Sequence, residues 1–137
     1  DLTTVLRIES ASHDDPLSRE VFQSYLASPR VLAEVVERGG RTVGFHLVEL
    51  EERRLHVLNL TVAEDCRRQG LGTALLVRID AIARERELPR IELEVRESNL
   101  GAQLLYRAFG YEAVEILRAH YRVEDGYRMR REVGPSG

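Results

Sequence analysis

The chain is predicted to fold as a single α/β domain, and three observations carry that expectation. Apolar stretches of strand length alternate with longer stretches of helical period along most of the sequence. One strand candidate, Leu55–Val62, runs through a basic, glycine-bearing turn, Arg67-Arg68-Gln69-Gly70-Leu71-Gly72, into a helix. The 137 residues, 43% hydrophobic and 31% charged, show no internal repeat or linker and suit one compact soluble domain with a substantial core. That domain is assigned to residues 1–133, and Gly134-Pro135-Ser136-Gly137 to a frayed tail.

Each element follows from local pattern. Leu2, Val5, Leu6 and Ile8 recur at helical spacing and predict a first helix that fades near Ser10. Asp14-Asp15-Pro16-Leu17-Ser18 reads as a loop, with Ser18 as N-cap of a short helix through Leu26. Strands are expected over 31–36 and 42–50, joined by the turn Arg38-Gly39-Gly40-Arg41. The charged turn Glu51-Glu52-Arg53-Arg54 leads to the strand over 55–62. A long helix is expected from Gly72 to about Glu87, with Leu75, Ile79, Ile82 and Arg86 along one side and Pro89 beyond its end. Ile91-Glu92-Leu93-Glu94-Val95 alternates as a strand does, and a short helix over 102–109 stops at Gly110. Strands over 111–117 and 127–133 complete the set, with a turn at Glu124-Asp125-Gly126.

Composition narrows the function. A net charge of −3 and the lack of any basic tract argue against sequence-independent nucleic-acid binding. Cys66 is the sole cysteine, so no intramolecular disulfide forms, and no motif supplies the histidine that a thiolate nucleophile needs. No stretch reaches the roughly 20 apolar residues of a membrane span, and no signal-peptide pattern is present; a cytoplasmic setting is expected. His13, His46, His56 and His120 are scattered without ligand spacing, so no metal site is expected. The start at Asp1, without methionine, reads as trimmed or processed.

The turn at 67–72 is where chemistry begins. A helix start offers backbone N–H groups and the positive end of the macrodipole, which together attract anions. Gly70 and Gly72 remove the Cβ atoms that would hold a phosphate away. Walker A would need Gly-Lys-Ser/Thr, but Gly72 is followed by Thr73-Ala74; a Rossmann turn would need a third glycine where Leu75 stands. What remains, Arg67-x-x-Gly70-x-Gly72, resembles the coenzyme A loop of the GNAT superfamily of N-acetyltransferases. Three more segments fit: Leu58-Asn59-Leu60-Thr61-Val62, Leu93-Glu94-Val95-Arg96-Glu97-Ser98-Asn99 and Leu105-Tyr106-Arg107-Ala108-Phe109-Gly110-Tyr111. Their order and spacing are similar to the bacterial RimI group, which acetylates the N-terminal alanine of ribosomal protein S18.

That resemblance implies a mixed central sheet with two splayed strands, helices on both faces, and a first family strand upstream of Asp1. It implies acetyl-CoA as co-substrate, held by the strand around Leu60, Thr61 and Val62. Backbone N–H groups of Arg68, Gln69, Gly70, Leu71, Gly72 and Thr73 would hold the diphosphate, with charge from Arg67 or Arg68. Asn99 would bond the pantetheine arm, a role compatible with capping its helix. Glu94 would be the base, made more basic by partial burial, with Glu92 on the same strand face as its rival. Tyr106 would protonate the departing thiolate, and a core aromatic is the plainer reading of it. The amine would attack directly in a ternary complex.

For the acceptor, Arg118-Ala119-His120-Tyr121 resembles the group's Arg-x-x-Tyr segment, and Asp15-Pro16-Leu17-Ser18 its Pro-Trp-Ser loop. His120 stands where an aromatic is usual, and Leu17 replaces the tryptophan. Leu17, His120 and Tyr121 are therefore expected to read the acceptor, most simply the N-terminal tail of S18, and Asp14-Asp15 to meet a basic tail. A small-molecule amine as acceptor, or a non-catalytic acetyl-CoA-binding module, are the alternatives.

Overall fold

The protein is described by a computed structural model over residues 2–12, 18–67, 70–121 and 124–134. Two helices, α1 (Leu2–Ser12) and α2 (Arg19–Ala27), lead into strands β1 (Val31–Arg38), β2 (Arg41–Leu50) and β3 (Leu55–Val62). A 3-10 turn at Glu64–Cys66 precedes α3 (Leu71–Glu85), followed by β4 (Arg90–Arg96), α4 (Leu100–Ala108), β5 (Glu112–Tyr121) and β6 (Glu124–Glu132). The six strands form one mixed sheet in the order β1-β2-β3-β4-β6-β5, in which only β3 and β4 run parallel.

Alternation along the strands puts a core on each face. On one side Val43, Phe45 and Leu47 of β2 pack against Val5 and Ile8 of α1 and Phe22 of α2. On the other, Ile91, Leu93 and Val95 of β4 meet Leu76, Ile79 and Ile82 of α3 and Tyr106 of α4. Leu76 and Ile79 have no exposed surface, and burial of each such side chain contributes about 1.5–3 kcal/mol. Ser18 caps α2 through its hydroxyl, which accepts from Val21 N at 3.2 Å.

Local signals placed these elements to within a few residues, and several ends differ, β5 running on to Tyr121 where a stop at Leu117 is expected. The long helix stops at Glu85; Arg86 is its exposed C-cap, and Glu87 takes a left-handed φ of 57° that ends the spiral. α1 runs on to Ser12. The expected turn at 124–126 is strand instead: Gly126 is buried between Arg96 of β4 and Leu117 of β5, so sheet pairing overrides its turn propensity. Residues 135–137 of the expected tail, and Asp14-Asp15, lie outside the described residues.

Candidate active site

The site begins where the sheet comes apart. β3 and β4 share only two rungs, Leu55 with Ile91 and His56 with Glu92. Just beyond them β3 carries a bulge: Leu47 pairs with Asn59 and Val48 with Val57, which leaves Leu58 extra. A bulge bends its strand and strengthens the twist. β3 therefore stays with β2 as far as Val62 while its other edge leaves β4, and backbone N–H and C=O groups from Val57 onward face a gap rather than a strand.

A cleft of about 780 Å³ opens from this gap and runs to the start of α3, bordered by Leu60, Val62, Gly72, Asn99 and Tyr106. At its α3 end Gly70 adopts φ 78°, a left-handed N-cap that other L-residues resist. Gly72 matters for packing, because an added Cβ would lie 2.9 Å from Leu105 Cδ2 of α4. The first α3 N–H groups, with no intrahelical acceptor, open on the cleft beside Gly72 and Thr73. Arg67 is exposed at the same end; Arg68 and Gln69 lie outside the described residues.

The remaining expected residues sort clearly. Asn99 caps α4, its Oδ1 accepting from Ala102 N at 3.2 Å, and it also lines the cleft. Tyr106 borders the cleft from α4, its ring tilted against Tyr111 with centroids 5.9 Å apart. Thr61 also lines the cleft, while its hydroxyl donates to Glu9 Oε1 of α1 at 3.2 Å. His120 is exposed in β5 and does not line the cleft; Leu17 and the Tyr121 side chain lie outside the described residues.

Glu92 and Glu94 share a face of β4 but not a fate. Glu92 is buried and clamped by two guanidinium groups, Arg54 Nη1 at 2.8 Å and Arg130 Nε at 2.8 Å. Glu94 accepts from His56 Nε2 at 2.7 Å and from Arg128 Nε at 3.4 Å, and its side chain is 16% exposed. Burial pushes the Glu94 carboxyl up, but His56 and Arg128 outweigh it and hold the group below the usual carboxylate value. The expected rise in its basicity is therefore corrected.

Similarity to known proteins agrees with this geometry. A match to the Acetyltransferase (GNAT) family spans residues 2–111. The chain belongs to the GNAT acetyltransferase family. The ribosomal protein bS18-alanine N-acetyltransferase of Escherichia coli (strain K12) is 32% identical over 126 residues, covering 92% of this chain and 84% of that protein. The N-alpha-acetyltransferase RimI of Mycobacterium tuberculosis is 33% identical, covering 88% of this chain and 78% of its own. The crystal structure of the ribosomal-protein-S18-alanine N-acetyltransferase from Escherichia coli superposes with a TM-score of 0.92 at 30% identity, covering 100% of this chain and 90% of that one. The GNAT domain described here is thus an acetyl-CoA-dependent N-acetyltransferase similar to the RimI group.

Two residues bonded to the expected site residues carried no warning in the sequence. Glu9 of α1 is buried and accepts from Asn59 Nδ2 at 3.0 Å as well as from Thr61, tying the first helix to the splayed strand. His56 meets Glu94 across 38 positions of sequence, and its other nitrogen, Nδ1, faces Glu51 Oε2 at 3.8 Å. Scattered in the sequence, His56 comes close to Glu49 and Glu51, with ligand-type atoms within 4.8 Å of one another. Arg54 already occupies Glu51 at 2.9 Å and Glu94 engages His56, so the trio belongs to an ion-pair network.

Proposed function

We propose that this GNAT domain acetylates the N-terminal α-amino group of a protein, with alanine at the start of ribosomal protein S18 as the leading acceptor. The observation that carries the reading is the gap between β3 and β4, with Glu94 on one strand and a cleft leading to the glycine turn. Similarity to proteins bearing the S18-alanine name over most of the chain supports the acceptor class. An acceptor on the ribosome would place the enzyme in the cytoplasm.

The cleft fits acetyl-CoA on its own chemistry: an unpaired strand edge for an amide-bearing arm and the open N–H groups of α3 for a diphosphate. When bound, acetyl-CoA supplies an acetyl group activated as a thioester. The chain would hold it through the β3 edge at Leu60 and Val62, the N–H groups of residues 68–73, charge from Arg67 or Arg68, and Asn99. Glu94 takes the proton that the ammonium must lose before it can attack, directly or through water. Tyr106, whose ring borders the cleft, returns a proton to the leaving sulfur. Leu17, His120 and Tyr121 are assigned to reading the acceptor on sequence resemblance alone.

The test is thiol release from acetyl-CoA with two acceptor sets, an Ala-Arg-initiated peptide and a panel of small amines. Turnover with the peptide and not the panel is expected. Turnover confined to small amines would replace the acceptor, and release with neither would leave only a binding module.

A further inference from the structure

We propose that Glu124 is a positioning residue for the acceptor peptide: it fastens the bulged end of β5 to the rim of the cleft, and so fixes the path by which a peptide N-terminus reaches Glu94. This deepens the proposed acetyl transfer and rests on it. The β5–β6 hairpin ends beside the gap, because Arg96 at the end of β4 pairs with Gly126 of β6. There the ladder of the hairpin is broken. Leu117 pairs with Gly126 and Tyr121 with Glu124, so Arg118, Ala119 and His120 together stand opposite Asp125. Such a bulge turns side chains out of the ladder, and bulges are common beside active sites. Ala119 takes a left-handed φ of 50°, which a residue with a Cβ keeps where its surroundings hold it.

Two adjacent carboxylates hold it. Asp125 Oδ1 accepts from Ala119 N at 2.7 Å, and Asp125 Oδ2 from Arg118 Nη1 at 3.2 Å, which fixes the bulge on β6. Glu124 then ties β6 to the cleft. Its Oε1 accepts from Arg96 Nη1 at 3.1 Å and from the Ser98 hydroxyl at 3.0 Å, and its Oε2 from Ser98 N at 3.1 Å. Arg96, Ser98 and Asn99 all border the cleft. The Ser98 hydrogen bonds, with the charge of Arg96, hold the Glu124 carboxyl below its ordinary value, so the tie is an ionised group that only accepts and meets three donors. The rim also has a brace of its own: Gln103 Nε2 donates to Arg96 O at 2.9 Å and to Glu97 O at 3.0 Å. Loss of the Glu124 carboxylate therefore loosens the hairpin more than the rim. His120 is exposed on the bulge and does not line the cleft, which suits this segment to a peptide chain rather than to the co-substrate.

The experiment compares kcat/KM for an Ala-Arg-initiated peptide and for alaninamide, at saturating acetyl-CoA, in the natural chain, Glu124→Gln and Ser98→Ala. Alaninamide carries the α-amino group without the chain behind it, so it reaches Glu94 without the hairpin. The natural chain should prefer the peptide. In Glu124→Gln an amide NH₂ replaces one oxygen and faces donors. The peptide-to-alaninamide ratio should then fall about ten-fold or more through the peptide KM, while alaninamide turnover and acetyl-CoA affinity stay within a few-fold. Ser98→Ala removes the hydroxyl contact alone and should lower the same ratio about three-fold, which decides the matter even where Glu124→Gln does not fold. A general folding fault slows both acceptors together and leaves the ratio unchanged. An unchanged ratio in the folded variants, equal use of both acceptors by the natural chain, or loss of acetyl-CoA binding in folded Glu124→Gln would overturn the role of Glu124 while acetyl transfer stood. No turnover by the natural chain with any amine would overturn both readings.

Discussion

A histidine–carboxylate–arginine trio occurs twice, once with its arginine from α3 and once with its arginine from β6. At its closed side, between β1 and β2, His46 Nε2 meets Glu34 Oε1 at 2.8 Å, and Arg78 Nε bonds Glu34 at 2.9 Å. At its open side, between β3 and β4, His56 Nε2 meets Glu94 Oε1 at 2.7 Å, with Arg128 Nε behind at 3.4 Å. The difference lies around the pair. β1 and β2 stay paired from Val31 to Arg38, and His46 has no exposed surface and a buried Nδ1 without a partner among the described residues. β3 and β4 part after His56, whose Nδ1 faces an ionisable group at the rim. Similar histidine–carboxylate distances thus sit in a fastened wall in one place and at an open mouth in the other, and the arginine holds the carboxylate more closely at the wall. Strand pairing, rather than the residue types, decides which.

The largest effect expected from breaking this contrast is at the mouth. Glu94→Gln should lower kcat by about 10²–10⁴-fold, the range of a lost general base, while acetyl-CoA affinity stays within a few-fold. Full activity in that variant would return the base assignment to other groups.

At the wall the effect should be on stability. His46→Gln should cost about 1–3 kcal/mol in denaturant unfolding, with kcat of the folded protein within two-fold. pH separates the pairs further. Burial holds the His46 imidazole below its ordinary value against the opposing pull of Glu34. Below about pH 6.5 the unfolded chain therefore binds a proton that the native one refuses, and stability falls on acidification. His46→Gln should flatten the melting temperature between pH 7 and 5. Glu34, held down to about 2 chiefly by Arg78, loses its share only below about pH 4.5. A melting curve as steep in the variant as in the natural chain would remove His46 from this role.

The smallest of these effects should come from Tyr106→Phe, which keeps the ring packed on Tyr111. A fall in kcat of about ten-fold without loss of acetyl-CoA binding is expected, because a thiolate leaves readily even without an acid. Loss of binding instead would make Tyr106 a packing residue.

The parts of this site that sequence shows are those that local rules decide. Gly70 and Gly72 mark the turn because the left-handed φ at 70 is one that side chains rarely adopt, and a Cβ at 72 would crowd Leu105 of α4. Alternation puts Glu92 and Glu94 together on one face, and Asn99 falls at a cap position. Parallel pairing is not local. The register of Leu55 with Ile91 brings His56 to Glu94, and nothing within either segment announces it. For the same reason the direction in which the Glu94 carboxyl shifts is not legible in its own segment, since His56 and Arg128, which together outweigh burial, come from two other strands. Leu17, Arg68 and Gln69 remain sequence expectations, and His120 is exposed away from the cleft.

The most direct test of the account is the crystal structure of the protein with a bisubstrate probe, an alanine-initiated peptide joined through its α-nitrogen to coenzyme A. The account predicts the pantetheine arm between β3 and β4, the diphosphate at the start of α3, and the linking nitrogen within reach of Glu94 directly or through one water. A probe seated outside that gap, or a linking nitrogen remote from Glu94, would contradict it.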